Sequence, residues 1–372
     1  MVILRISCVA VFLLVAAFGP ASSVCGQNAE KRVTAKVQYG GKDYFGLPVG
    51  WDGKQVALLS PTGSLDLIPI ASKDAVEIVA DEFHTYSASD IRRFLQSQYG
   101  NRYDVSASKQ YVVVHPWGDP SIYVQPFDDF HKRFVSFFSS HEITLNEPPT
   151  PLIAIVLRSR NDFNRTLLNE IDLRDSRVSG FYSQKSNRIN TYDPQATLRE
   201  KGDRWLYNAK TIIHEATHQS AFNTGVHNRF APPPKWLSEG LAMLFETPGF
   251  NNAEKFPKPI HRVNEVRLKQ FRKLIRQEKV KGSLNKLIAY DHMFEDDAVN
   301  AYALSWGLSY FLYERDKEKY VQFLQQDAKR KNFVKYSPDR RLGDFAAAFG
   351  NDLNGLEESL IELFEPKRGP RR

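Results

Sequence analysis

The rhythm of hydrophobic and polar positions changes twice along this chain. Between residues 31 and 79 the period is two, with Val33, Ala35, Val37 and Tyr39 alternating with polar neighbours and turn signals at Gly40-Gly41, Asp52-Gly53 and Pro61-Thr62-Gly63. This pattern predicts short strands in a small β-barrel-like module, residues 27–80. From Phe83 onward helical and strand patterns alternate: 87–97 reads as a capped helix, Tyr111–His115 as a β-branched strand, and 128–139 as a Phe-rich amphipathic helix. The continuous apolar run 151–157 reads as a strand covered on both faces, 162–171 as a helix, and Gly180-Phe181-Tyr182 with 188–192 as a hairpin. Beyond Asp203 nearly everything is helical, including 263–279, Ala298–Arg315, 320–329 and Leu353–Phe364. The expected fold class is α+β, with a mixed layer at 83–202 and a helical layer at 203–366.

The first residues obey another logic. Arg5 precedes an uncharged run, 6–18, that ends at Gly19-Pro20 and small residues. A membrane-crossing helix needs about 20 apolar residues, so this run is too short and reads as a secretory signal peptide, residues 1–26. Export to the periplasm, the cell envelope or the medium is expected, with no stable membrane insertion after cleavage. The chain has two cysteines, Cys8 and Cys25, and both lie in this segment. A chain cut after Gly26 has no thiol, so its chemistry must come from His, carboxylate, Ser, Tyr or Lys.

Composition adds little to this picture. With 42% hydrophobic and 25% charged residues the chain is an ordinary globular one, and its net charge of +7 is spread out. The basic segment 261–279 carries Val263, Val266, Phe271, Leu274 and Ile275 as an apolar stripe, which predicts a core-packed helix with a solvated basic face and no nucleic-acid partner. The N-terminal module faintly resembles SH3-like barrels, a resemblance that carries no site and leaves any partner of the module unnamed.

The candidate chemistry lies in Thr211-Ile212-Ile213-His214-Glu215-Ala216-Thr217-His218-Gln219. Positions i and i+4 share a helix face, so the imidazoles of His214 and His218 converge on one point, with Glu215 able to reach a water held there. A zinc ion, Zn2+, bound this way needs a third protein ligand and leaves a fourth position for water. Gly at 221 and His at 224 would continue one known zinc-protease pattern, but the chain has Ala221 and Thr224. Twenty residues separate His218 from Glu239, and a helix starting after Pro232-Pro233-Pro234 would bring this carboxylate back to the histidines. His227, in the connecting loop, is the rival third ligand. Glu246 shares a helix face with Glu239 and could orient a ligand histidine, although a surface carboxylate would read the same way. Tyr302, Tyr182 and His227 are candidate donors to a developing oxyanion. Gly180, Phe181 and Tyr182 belong to the hairpin just upstream of the motif helix, which an ordinary surface hairpin would explain equally well.

The paired segments HEATHQ and WLSEGLAMLFE resemble the gluzincin class of metallopeptidases, in particular the peptidase MA-like domains of bacterial exported proteins of unknown function. More distantly they are similar to aminopeptidase N, whose pattern is HExxHQ followed by WLNEG. The resemblance spans roughly residues 83–364. It implies His214, His218 and Glu239 as zinc ligands and Glu215 as catalytic base. It also implies a mixed-sheet upper lobe over an all-helical lower lobe, a peptide or protein substrate, and an edge strand beside the metal that pairs with an extended peptide, for which Gly180, Phe181 and Tyr182 are the candidates. The Gly-x-Met-Glu-Asn segment of aminopeptidases is not found here. Another reading of the same residues is a non-catalytic envelope-binding protein that keeps a structural zinc.

Overall fold

A computed structural model of the chain describes residues 32–170, 178–194 and 204–365. The predicted signal peptide lies outside them. The described residues from Val33 onward belong to one compact unit. They form a mixed α+β structure with two five-stranded sheets. No helix among them is long and apolar enough to cross a membrane.

The first sheet contains β1 (Thr34–Tyr39), β2 (Lys42–Trp51), β3 (Gln55–Leu59), β4 (Leu65–Pro69) and β5 (Val76–Ala80), in the order β4-β3-β2-β1-β5. Gly40 and Gly41, with φ of +58° and +75°, make the two-residue turn that pairs Tyr39 with Lys42. Both positions need positive φ, which glycine adopts without steric cost. Ala35, Val37, Val56, Leu58, Ile68 and Ile70 face inward as a small core. The predicted barrel-like closure does not occur. Closure would require β4 to pair with β5, but β5 pairs with β1 at the far edge and is mostly exposed, while Leu65 at the β4 edge donates its N–H to the Lys185 carbonyl at 2.7 Å.

The second sheet is built around α1 (Ala88–Tyr99), β6 (Asp104–Ala107), β7 (Tyr111–His115), α2 (Ser121–Ser139), β8 (Leu152–Leu157), α3 (Arg160–Glu170), β9 (Gly180–Ser183) and β10 (Arg188–Tyr192). Its order is β6-β7-β8-β10-β9, with β7, β8 and β10 parallel and the outer strands antiparallel. Every residue of β7 and β8 is buried, as expected for a parallel centre covered on both sides. Ile91, Leu95 and Phe163 cover one face from α1 and α3, and Phe127, Phe130 and Phe134 of α2 cover the other. Helix α2 starts earlier than its periodicity predicted and carries Pro126 inside it. The lost hydrogen bond is tolerated because Tyr123, Val124 and Phe127 extend the same buried face across it.

Helices fill the remainder: α4 (Arg204–Thr224), α5 (Lys235–Phe245), α6 (Pro248–Asn251), α7 (Glu265–Arg276), α8 (Ser283–Ala289), α9 (Met293–Asp296), α10 (Ala298–Arg315), α11 (Lys317–Ala328), α12 (Pro338–Phe349) and α13 (Leu353–Phe364). At Gly240, where α5 crosses α10, a Cβ would lie 2.9 Å from the Ser305 carbonyl oxygen, so only glycine permits so close a crossing. The basic helix α7 buries Phe271 and Leu274, whereas Val266 of the expected stripe is 61% exposed. That valine lies in the first turn, ahead of the part of the helix that meets the core.

Candidate metal centre

Helix α4 carries both histidines, and the bend after it determines what they meet. Gly225 comes directly after α4 with φ +87°, a left-handed position that stops the helix, and Asn146 donates its N–H to the Thr224 carbonyl. The next loop is held from outside: Arg330 donates to the carbonyls of Ala231 and Pro232, both at 2.6 Å, and pairs with Asp327 at 2.8 Å. Pro234 then caps α5, accepting from Leu237, and α5 runs back beside α4.

This return places Glu239 on the histidine pair. His214 Nε2 lies 3.1 Å from Glu239 Oε2 and 3.2 Å from His218 Nε2, and His218 Nε2 lies 3.5 Å from the same carboxylate oxygen. A tetrahedral ion with bonds of about 2.0–2.1 Å spaces its ligands about 3.3 Å apart, so the three atoms already form one face of such a tetrahedron. The chemistry of the donors fits as well. His214 Nδ1 is 2.9 Å from Glu246 Oε1 and gives its proton there, which leaves the Nε2 lone pair facing two other lone-pair-bearing atoms. Three acceptors facing one another call for a cation, and these three residues can hold a metal ion.

The electrostatics show the same demand. Burial opposes charge on His214, but hydrogen bonds to Glu239 and Glu246, reinforced by carboxylate charge, hold its pKa well above that of an ordinary histidine. Burial would likewise raise Glu239, yet His218 and His214 pull it below the usual carboxylate range. Glu246 is lowered in the same way: His214 outweighs the cost of its burial. Without a metal, a proton on the cluster supplies the positive charge that the acceptors need.

Glu215 lies beside the cluster with a different environment. Its burial raises its pKa, against the pull of His214 and His218, and Oε2 accepts the backbone N–H of Tyr182 at 2.7 Å. Strand β9 can approach this closely because of Gly180, where a Cβ would lie 2.8 Å from Thr211 Cγ2 and 3.4 Å from Glu215 Cγ. The three residues of the candidate peptide-pairing strand therefore differ. Gly180 and Tyr182 meet α4, while the Phe181 side chain packs away from it against Phe163.

Tyr302, on α10, is partly buried. Glu239, then burial and Glu215, raise its pKa well above that of a free phenol, and the Arg267 guanidinium lies 5.1 Å from its ring centroid. His227 is outside the ligand cluster. It is 2% exposed, with its ring 5.3 Å from Phe222 and no hydrogen-bond partner on either ring nitrogen, and burial together with nearby His218 pushes its pKa down to about 3. One participant was not visible in the sequence. Asn264 caps α7 through its side-chain oxygen and donates from Nδ2 to Glu246 Oε2 at 2.7 Å, completing a line from His214 through Glu246 to α7. Its position just before Glu265 signals a helix cap, but not the second bond.

Comparison with known proteins adds a family match over the same region. A family model described as a protein of unknown function (DUF1570) matches residues 208–334, a stretch that contains His214, His218 and Glu239. No curated protein matches the chain. Among solved structures the chain is similar to a mutant form of the M1 zinc metallopeptidase from Deinococcus radiodurans, at 14% identity and a TM-score of 0.34, over 73% of this chain and 53% of that one. The chain thus spans about half the length of that protein, and a likeness this loose carries no weight for function.

Proposed function

We propose that this protein is an exported zinc-dependent peptidase of the gluzincin type, with a mixed-sheet lobe above the site and a helical lobe below it. The observation that carries the reading is that His214, His218 and Glu239 meet with tetrahedral spacing while the carboxylate of Glu215, which such a metal site does not need as a ligand, is held alongside. When bound, zinc supplies Lewis-acid polarisation and makes a water acidic near neutral pH. Glu215, its pKa raised by burial, accepts the proton of the attacking water and returns it to the leaving amine. The hydrogen bond from Tyr182 N–H keeps that carboxylate in one orientation while it does so. Tyr302 donates its phenol proton toward the oxygen on which negative charge develops, since its raised pKa keeps it protonated. Strand β9, the outer strand of its sheet, aligns an extended peptide along the site. Glu246 fixes the His214 ring through Nδ1.

The test compares wild type with Glu215→Gln on a broad peptide library, with zinc measured on both. Equal zinc with turnover reduced about 10³-fold in the variant is expected. A wild type no faster than the variant removes the peptidase reading and leaves a structural metal in a binding protein.

A further inference from the structure

Between the N-terminal sheet and the candidate site lies a half-buried side chain, Arg229, in the loop between α4 and α5. Its guanidinium is spent on backbone carbonyls of two different sheets: Nη1 donates to Gly63 at 3.2 Å, in the β3–β4 turn, and Nη2 donates to Gln184, in the β9–β10 turn. Among the described residues no carboxylate pairs with Arg229. A cation with only carbonyl partners is held in place by the geometry of those carbonyls. The two turns also meet directly. Leu65 N–H donates to the Lys185 carbonyl at 2.7 Å, and Gly63, at φ +82°, lies so close that a Cβ would be 3.2 Å from Asn187 Nδ2.

Asn187 passes this contact toward the site. It closes the β9–β10 turn at φ +57°, accepts from the Tyr182 hydroxyl at 2.8 Å, and exchanges amide hydrogen bonds with Asn223 of α4 at 2.9 and 2.7 Å. Tyr182 in turn gives its N–H to Glu215. The strand so held has four residues and a ladder on one side only, with β10. A strand this short and this one-sided has little of its own to fix its height over α4.

We propose that Arg229 is a positioning residue: by bolting the β3–β4 turn to the β9–β10 turn it makes the N-terminal sheet a working part of the site, setting where the edge of β9 stands over Glu215. The contacts stand independently of any activity. The consequence for turnover rests on the peptidase reading above. The N-terminal sheet is then a brace for the substrate strand, and cutting the brace loosens the strand without emptying the metal site.

The experiment is amide hydrogen exchange on the full mature chain, wild type against Arg229→Met, with zinc content and peptide turnover measured in parallel. In the variant the Tyr182 amide exchanges at least about 10-fold faster, amides of α10 keep their wild-type rates, zinc content stays unchanged, and kcat/KM falls about 10-fold. Arg229→Lys, which can still reach one carbonyl, gives intermediate values of both. An unchanged Tyr182 exchange rate in Arg229→Met overturns the proposal whatever the turnover. If Arg229→Met shows no cooperative melting, Gly63→Ala is read the same way, since it pushes the β3–β4 turn off its seat from the other side. Should wild type and Glu215→Gln have equal turnover, the peptidase reading falls and the exchange data still decide the brace.

Discussion

Helix α4 carries two buried polar clusters less than three turns apart, and they are resolved in opposite ways. At Gln219 and Asn223 the polar groups are amides, and donors meet acceptors: Gln219 Nε2 donates to the carbonyls of Ile153 and Asn187, and Asn223 and Asn187 exchange bonds. At His214 and His218 the groups are imidazole nitrogens and the Glu239 carboxylate, with ligand atoms all within 4.8 Å of one another and acceptors facing acceptors. Burying a polar group costs free energy in both places. In the amide cluster the cost is offset within the protein, so that cluster fastens the sheet to the helix. In the histidine cluster the offset has to come from a cation. Buried polarity alone therefore does not mark a functional site, whereas an excess of one kind of group does.

The contrast can be broken experimentally, starting with the largest effect. His214→Ala should take zinc from about one equivalent to nearly none and abolish turnover, since it removes one of three ligands. Retention of full zinc by that variant would show that the ligand assignment is wrong. Next comes His131, which packs on α4 from α2 through Ser220 at 3.1 Å and whose burial lowers its pKa to about 4. The unfolded chain takes up this proton near pH 6.5 and the folded chain only near 4, so stability should be intact above about 6.5 and fall as the pH drops toward 4. The loss is up to about 3 kcal/mol and should be absent in His131→Gln. A flat wild-type melting profile over that window would contradict it.

Smaller effects sharpen the comparison. Asn223→Leu strands the amide of Asn187 and should cost about 2 kcal/mol in urea unfolding while leaving zinc stoichiometry unchanged. If it released zinc instead, the two clusters would have to be treated as one. Glu246→Gln keeps the shape but weakens the acceptor for His214 Nδ1, and should lower zinc affinity about 10-fold in a chelator competition. An unchanged affinity would mean that the ring is oriented by packing alone.

How much of this was legible in the sequence depended on distance along the chain. The strands β7 and β8 and the helices α10 and α13 stand where their local patterns predicted them, because period and β-branching act over a few residues. Two readings failed for the opposite reason. Barrel closure depends on whether the edges β4 and β5 find each other, and the helix expected over 128–139 begins instead at Ser121 because the buried face of Tyr123, Val124 and Phe127 carries α2 through Pro126. Asn264 was invisible as a partner of Glu246, since a helix-cap asparagine shows nothing of what its second amide atom meets.

By itself the sequence determined that His214, Glu215 and His218 share one stretch of helix, because side chains four apart on a helix must face the same way. It also determined that no cysteine beyond residue 25 is available to bind metal. Only the tertiary structure decided that Glu239 and not His227 completes the cluster, that Glu246 reaches the back of His214, and that the Tyr182 amide seats on Glu215. Those pairs are joined by a helix crossing or by a sheet edge meeting a helix. Whether such groups meet depends on how whole elements pack, through glycines such as Gly180 and Gly240 that let backbones come close, and not on any spacing that can be read along the chain.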